Sequence, residues 1–189
     1  MHNFGQERTL LGVKFVLDVP SGDANWQFSS FKLDLLPMYV GLDVAQFPVE
    51  LNQRRFAHHR NKLFARWDVS ACALPRLVGT GSNVSMPFDL IISRDMIQHM
   101  PLQLGLRAVR NFARSGARFL LTTTFENFDN VDDDSKTDAF YANNLAKAPF
   151  NFPRPLKCKR SHPPEFDEHD LLCLYDLKDV LSISQSYPV

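Results

Sequence analysis

The stretch Lys14-Phe-Val-Leu-Asp-Val-Pro-Ser-Gly-Asp-Ala-Asn-Trp26 constrains this chain more than any other. An apolar, β-rich run from Phe15 to Val19 carries Asp18 near its end, then breaks into Pro20-Ser21-Gly22-Asp23 before helix-compatible sequence resumes. A short run without polar alternation predicts a strand buried on both faces, here over 14–19. Strand, tight turn and helix start together form the carboxyl-end crevice in which open α/β sheets bind nucleosides.

The rest of the chain repeats that unit. Residues 24–35 read as a short helix or helical loop ended by Pro37, followed by a second strand at 38–43. A helix over 46–60 has Pro48 in its first turn, where a missing N–H costs nothing, and leads to a third strand at 64–68. Residues 76–87 are rich in Gly, Ser and Asn and read as a surface loop. Their Gly79-Thr80-Gly81 is not a phosphate loop, because no Lys-Ser/Thr follows and no helix begins there. A fourth strand is expected at 88–93, and a helix at 102–114 closed by Ser115-Gly116, with the glycine where a left-handed cap is wanted. A fifth strand spans 117–125, a last one 171–175 lies beside it, and 176–181 form a closing turn or short helix. This alternation predicts an α/β, Rossmann-like fold: a mostly parallel sheet with flanking helices and an antiparallel strand at the C-terminal end.

Composition fits one globular domain over 1–189, with 44% hydrophobic and 22% charged residues. Within it, 1–12 are a lead-in, 126–148 a mobile acidic loop and 149–155 a Pro/Phe segment able to form a wall, a lid or an aromatic plug. The acidic run lacks the glycine and terminal glutamate of a calcium loop, so no metal site is expected. A formal net charge of zero provides no bulk field for nucleic acid or an anionic membrane. The basic run Gln53-Arg54-Arg55 with His58-His59-Arg60 reads as a solvated helix face. Cys72, Cys158 and Cys173 are odd in number and widely spaced, and read as thiols in a reducing compartment. Without a leader-like N-terminus or an apolar run of roughly 20 residues, a cytoplasmic location is expected.

The turn after the first strand departs from a dinucleotide fingerprint. That fingerprint needs three glycines so that backbone N–H groups can touch a pyrophosphate, and only Gly22 is present, with Asp23 beside it to repel phosphates. An acidic turn suits a phosphate-free nucleoside bearing cations, with Asp18 and Asp23 as counter-charges and helix-start N–H groups for a carboxylate. Asp43, about 20 residues beyond the glycine turn at the end of the second strand, is placed to accept a ribose diol. Asp68, with Val69 beside it, either accepts an adenine amine or caps a turn.

These pieces, in order, resemble the successive motifs of class I S-adenosylmethionine-dependent methyltransferases. They are Asp18-Val-Pro-Ser-Gly-Asp-Ala-Asn-Trp26, Tyr39-Val-Gly-Leu-Asp43, Asp68 with Leu74-Pro75, and Phe88 to Pro101. Gly22-Asp-x-Asn-Trp26, Arg94-Asp95, Ser115-Gly116, Leu121 to Phe125 and Pro149 to Pro153 more narrowly resemble a bacterial family whose first motif is of the Pro-Cys-Gly-Asp-Phe-Asn-Trp type. The resemblance implies S-adenosylmethionine as cofactor. It puts Asp18, Pro20, Ser21, Gly22 and Asp23 around the methionine moiety, Asp43 on the ribose, and Asp68 and Val69 near adenine. Pro20 and Ala24 stand where two glycines are usual.

Methyl transfer depends on alignment more than on acid–base groups. If the acceptor must lose a proton, Asp95 and His99 are the candidate bases, while a His before Met-Pro more often caps or packs the following helix. Arg94 pairs either with Asp18 or with a substrate carboxylate. Phe150 and Phe152 either contact the acceptor or fill the core. The expected reaction is methyl transfer to a small-molecule or glycan-like acceptor. A methyltransferase-like binding or scaffold protein is the alternative, and a nicotinamide oxidoreductase is disfavoured by the acidic, glycine-poor turn.

Overall fold

The structure, a computed structural model, describes residues 12–29, 33–78, 84–131, 140–160 and 170–184. Strand β1 (Phe15–Asp18) leads to a one-turn helix α1 (Asn25–Ser29), a 3-10 turn (Leu33–Leu35) and β2 (Met38–Asp43). Helix α2 (Gln46–Arg55) and β3 (Lys62–Arg66) follow, then a hairpin of β4 (Leu77–Val78) and β5 (Ser85–Met86). Next come β6 (Leu90–Ser93), a 3-10 turn (Ile97–His99), α3 (Leu102–Arg114) and β7 (Phe119–Phe125). The chain closes with β8 (Lys157–Arg160), β9 (Asp170–Asp176) and α4 (Leu177–Ser184).

Seven strands make one sheet in the order β3-β2-β1-β6-β7-β9-β8. The first five run parallel, and β9 runs antiparallel to both β7 and β8. The predicted α/β architecture and the antiparallel C-terminal strand are both present. β1, β6 and β7 sit mid-sheet, β6 and the first half of β7 are apolar runs, and every residue of β6 and β7 is buried, Thr122 to Thr124 included. Strand alternation splits the core in two: Val16 and Tyr39 face α1 and α2, while Leu17 and Val40 face α3 and the C-terminal segments. Helix α3 buries Leu102, Leu106, Val109 and Phe112 along one stripe and turns Gln103, Arg107 and Arg114 outward. It ends as predicted, with Gly116 at φ +81° just past Ser115.

Several expectations need correction. The helix expected over 46–60 stops at Arg55, where Phe56 turns inward and 57–60 form a turn that redirects the chain into β3. β3 occupies 62–66 rather than 64–68, in register with β2 from Tyr39 opposite Lys62 to Asp43 opposite Arg66. The loop expected over 76–87 contains the β4–β5 hairpin, whose tip, with Gly79 to Gly81, lies outside the described residues. β8 was not anticipated: its Lys-Cys-Lys-Arg sequence is polar because the strand forms the outer edge of the sheet, where charge discourages further pairing.

The segment expected to be a mobile acidic loop over 126–148 is anchored at both described ends. Asn130 Nδ2 donates to the carbonyls of Asn144 and Ala148, and its Oδ1 accepts from the Asn144 N–H. Tyr141, Asn143 and Leu145 are buried. Residues 132–139, with Asp132 to Asp134, lie outside the described residues, as does the lead-in to residue 11. The Pro/Phe segment is a core plug: Phe150 is fully buried against α3 and Phe152 packs edge-on to Tyr175 at 5.0 Å. Cys158 and Cys173 are not thiols but a disulfide, formed because they face each other across β8 and β9 with Cα atoms 4.1 Å apart. Sequence spacing does not reveal a pairing that strand register creates. Cys72 is free and exposed.

Candidate functional site

The strand order reverses between β1 and β6, so the crevice lies beyond their carboxyl ends. The turn that leaves β1 is tied into both neighbours. The Val19 N–H donates to the Ile92 carbonyl on the β6 side, and the Ser21 N–H donates to the Leu42 carbonyl on the β2 side. Asp43 closes the β2 side. It is buried, and its two carboxylate oxygens accept from the Gly22 N–H at 3.0 Å and the Ala45 N–H at 2.9 Å. Gly22 has φ +52°, and no atom lies within 4 Å of the place a β-carbon would take. The backbone there is open to close approach by a ligand. Behind it, Gly41 lets β2 pass under the turn, since a β-carbon would stand 2.9 Å from Ser21 Cβ and 2.6 Å from the Phe64 ring.

Asp18 has a different place from the one expected. It has no solvent exposure, and its Oδ2 accepts from Gln27 Nε2 at 2.6 Å and from the Tyr39 hydroxyl at 2.5 Å. Burial pushes its pKa up to about 7, against the opposing pull of those two hydrogen bonds, with Asp43 adding repulsion and Arg94 relieving it. The Tyr39 hydroxyl is correspondingly held well above its ordinary range by burial and by the Asp18 charge. Asp18 is thus the buried prop under the turn rather than a surface counter-charge. Neither Gln27 nor Tyr39 was anticipated, although each is a polar group within an otherwise apolar face of α1 or β2.

Asp23 is exposed and engages Asn25, whose N–H and Nδ2 donate to its two oxygens at 3.0 and 2.6 Å. The Ala24 N–H goes to the Ser21 carbonyl. Two of the helix-start N–H groups expected to meet a ligand carboxylate, those of Ala24 and Asn25, are therefore used within the turn. Arg55 bonds Asn25 Oδ1 and the Asp23 carbonyl, and Asn52 Nδ2 donates to the Gly22 carbonyl at 2.7 Å, so α2 clamps the turn from outside. Pro20 precedes Ser21 in this turn through a cis Val19–Pro20 bond. Among the described residues, Asp18 Oδ1, Ser21 Oγ, Gln27 Oε1 and Asn52 Oδ1 are buried polar atoms without a hydrogen-bond partner. These four belong to the turn (Ser21) and to the strand and helices that pack on it (Asp18 on β1, Gln27 on α1, Asn52 on α2).

Asp68 is exposed and caps the turn after β3, accepting from the Ser70 hydroxyl and from the Ser70 and Ala71 N–H groups. The Ser70 hydroxyl bond leads these contacts in holding its pKa below the usual range. The Val69 side chain packs in the core with Leu74 and Phe112, and its carbonyl accepts from Asn111 Nδ2. Beyond β6, Asp95 has φ +55° and is held from several sides. Gln98 Nε2 and the Thr123 hydroxyl donate to its Oδ1, its N–H donates to Thr123 Oγ1, and Arg94 Nε lies 3.2 Å from Oδ2. Arg94 pairs with Asp95 and lies over the Trp26 ring at 5.0 Å. His99 is exposed on its 3-10 turn, with its ring 5.7 Å from that of Phe140. Gln98 and Thr123 escaped prediction, because only the β6–β7 pairing brings Thr123 to Asp95.

The fold recurs in solved structures. The chain superposes on a magnesium protoporphyrin IX methyltransferase from Synechocystis PCC 6803 with bound S-adenosylmethionine at a TM-score of 0.60 and 14% identity, covering 90% of this chain and 73% of that one. It superposes on the N-methyltransferase NodS from Bradyrhizobium japonicum WM9 at 0.61 and 12% identity, covering 92% and 93%. The methyltransferase domain of the bacterial protein CtHen1-C gives 0.61 and 11% identity, covering 92% and 94%. The chain has the methyltransferase fold. At these identities the likeness is one of fold. No protein-family model matches the sequence, and no curated protein matches it. The Gly22 turn, Asp43 and the Arg94–Asp95 pair stand at or just beyond the carboxyl ends of β1, β2 and β6. No helix among the described residues is long and apolar enough to cross a membrane.

Proposed function

We propose that the chain binds S-adenosylmethionine in this crevice and transfers its methyl group to a small-molecule or glycan-like acceptor. The observation that carries the reading is the Asp43 carboxylate on the Gly22 N–H, beside an open glycine backbone at the switch point of a methyltransferase fold. The residues present fit the cofactor. Each Asp43 oxygen has one lone pair in use and another left for a ribose hydroxyl. Exposed Val44, next to it, offers an apolar shelf for adenine in place of the core-facing Val69. The orphaned polar atoms around the turn add groups that a methionine moiety or its waters complete. The cofactor supplies an electrophilic methyl on a sulfonium; the chain's contribution is to bind, orient and exclude water.

Asp95 and His99 stand at the far side of the crevice, past β6. Asp95, fixed by Gln98, Thr123 and Arg94, is the better-positioned acceptor of a proton from an incoming hydroxyl or amine. His99 is placed to contact the acceptor alongside Phe140.

Isothermal calorimetry with S-adenosylmethionine and with its demethylated product tests the reading. Asp43→Ala also removes two backbone hydrogen bonds, so binding and melting temperature are read together. Asp43→Asn, which keeps one carboxyl-like oxygen, is measured beside it. Binding by the wild type that drops at least about tenfold in Asp43→Asn, with the fold intact, is the expected result. A well-folded wild type that binds neither molecule overturns the assignment. It would favour the scaffold reading, which rests on Pro20 and Ala24 at the usual glycine positions.

A further inference from the structure

At the opposite end of the sheet, where α2 runs out into β3, a cleft of about 380 Å3 is lined by Gln53, Phe56, His59, Arg60, Lys62 and Phe64. Lys62 is only 7% exposed, and a lysine is seldom buried so fully unless it is paired. Its Nζ lies 3.2 Å from His59 Nδ1 and 5.5 and 5.9 Å from the ring centres of Phe28 and Phe56. Those rings attract a cation but do not use up its three N–H donors. Among the described residues no carboxylate forms an ion pair with it. From Leu51 to Trp67 the sequence holds Arg54, Arg55, Arg60, Lys62 and Arg66 and no Asp or Glu, within a protein of zero formal net charge. Arg55 is committed to the Gly22 turn, and Arg66 donates to the Val44 carbonyl. Lys62 and Arg60 are the two permanent cations that line the cleft. Its wall is formed by Phe56 and Phe64, stacked with centroids 5.3 Å apart at 21°.

We propose that this cleft is a second binding site, for a small phosphomonoester carried on a planar apolar body. The phosphate accepts charge-assisted hydrogen bonds from Lys62 and Arg60, completing the ammonium that the chain leaves half-satisfied. The planar body lies against Phe56 and Phe64, where ring edges and faces favour another aromatic surface. The site stands on its own observations and does not depend on methyl transfer.

Calorimetry on the full chain at low ionic strength with phenyl phosphate, inorganic phosphate and phenol tests this. Phenyl phosphate is expected to bind more tightly than inorganic phosphate, and phenol not detectably. Lys62→Met keeps the buried stem and removes the charge, and is expected to weaken both phosphates at least about tenfold. Arg60→Gln, on an exposed side chain that the fold does not need, is expected to weaken them several-fold and serves if Lys62→Met fails to fold. Arg54→Gln, outside the cleft lining, is expected to leave affinity unchanged. No heat from either phosphate in the millimolar range overturns the site. So does equal affinity in the Lys62 and Arg60 variants, or an equal loss in Arg54→Gln, which would mean a diffuse basic field.

Discussion

A carboxyl group held out of water, as Asp18 is, ties stability to pH. Its folded-state pKa of about 7 lies above the ordinary carboxylate value of 3.8, so between them the folded state keeps a proton that the unfolded state has lost. Stability therefore falls as pH rises from about 4 to about 7 and levels off above that. Asp18→Asn keeps the shape without the charge, and is expected to flatten that segment of a plot of denaturation midpoint against pH. An unchanged slope would place the titrating group elsewhere. Gly41 makes a second residue-scale case. A methyl there must displace the Phe64 ring, itself wedged against Tyr39 and Phe56, or the Ser21 β-carbon. Gly41→Ala is expected to cost about 1–3 kcal/mol in urea denaturation. It should also weaken S-adenosylmethionine binding to the extent that Ser21, which belongs to the turn, is the neighbour that moves.

Among the elements, the Pro/Phe plug and the β8–β9 edge are held by different means. Phe150 fills the space left by Gly105 on α3, its ring 3.5 Å from the point where a β-carbon would sit. Phe150→Ala would leave a cavity costing about 3–5 kcal/mol, measurable by chemical denaturation. The outer strand β8 exposes most of its side chains and makes its sheet pairing through β9, so the Cys158–Cys173 bond matters more there than it would mid-sheet. Closing a loop of 15 residues contributes about 3 kcal/mol in the chain-entropy view. Reduction, or Cys158→Ser, should lower the melting temperature accordingly. Titration of three free thiols in the unreduced protein would show that the bond does not form in solution.

At the scale of the whole molecule, saturating S-adenosylmethionine at about 100 times its dissociation constant should stabilise the fold by about 2.7 kcal/mol. That corresponds to a rise of roughly 5–10 °C in melting temperature for a domain of this size, readable by differential scanning fluorimetry. The architecture was legible because mid-sheet strands must be apolar and crossover helices must be amphipathic, as β6, β7 and α3 show. Asp43 was legible from its distance beyond Gly22. The Asp18–Gln27–Tyr39 cluster, the Thr123 contact with Asp95 and the disulfide were not, because each joins residues that only strand order or register brings together. Polar β8 was missed for a related reason: an edge strand with little to bury leaves no periodic signal.

The strand order also dictates when the molecule can be completed during synthesis. Among the described strands β9 is the latest in sequence, yet it lies between β7 and β8. Until residues 170–176 have left the ribosome, β7 ends the growing sheet with an open, apolar edge, and β8 has no neighbour to join. A nascent chain stalled before that point exposes the kind of edge that pairs with other chains. β9 therefore acts as a keystone, and the sheet loses that open edge only once residues 170–176 have emerged and paired.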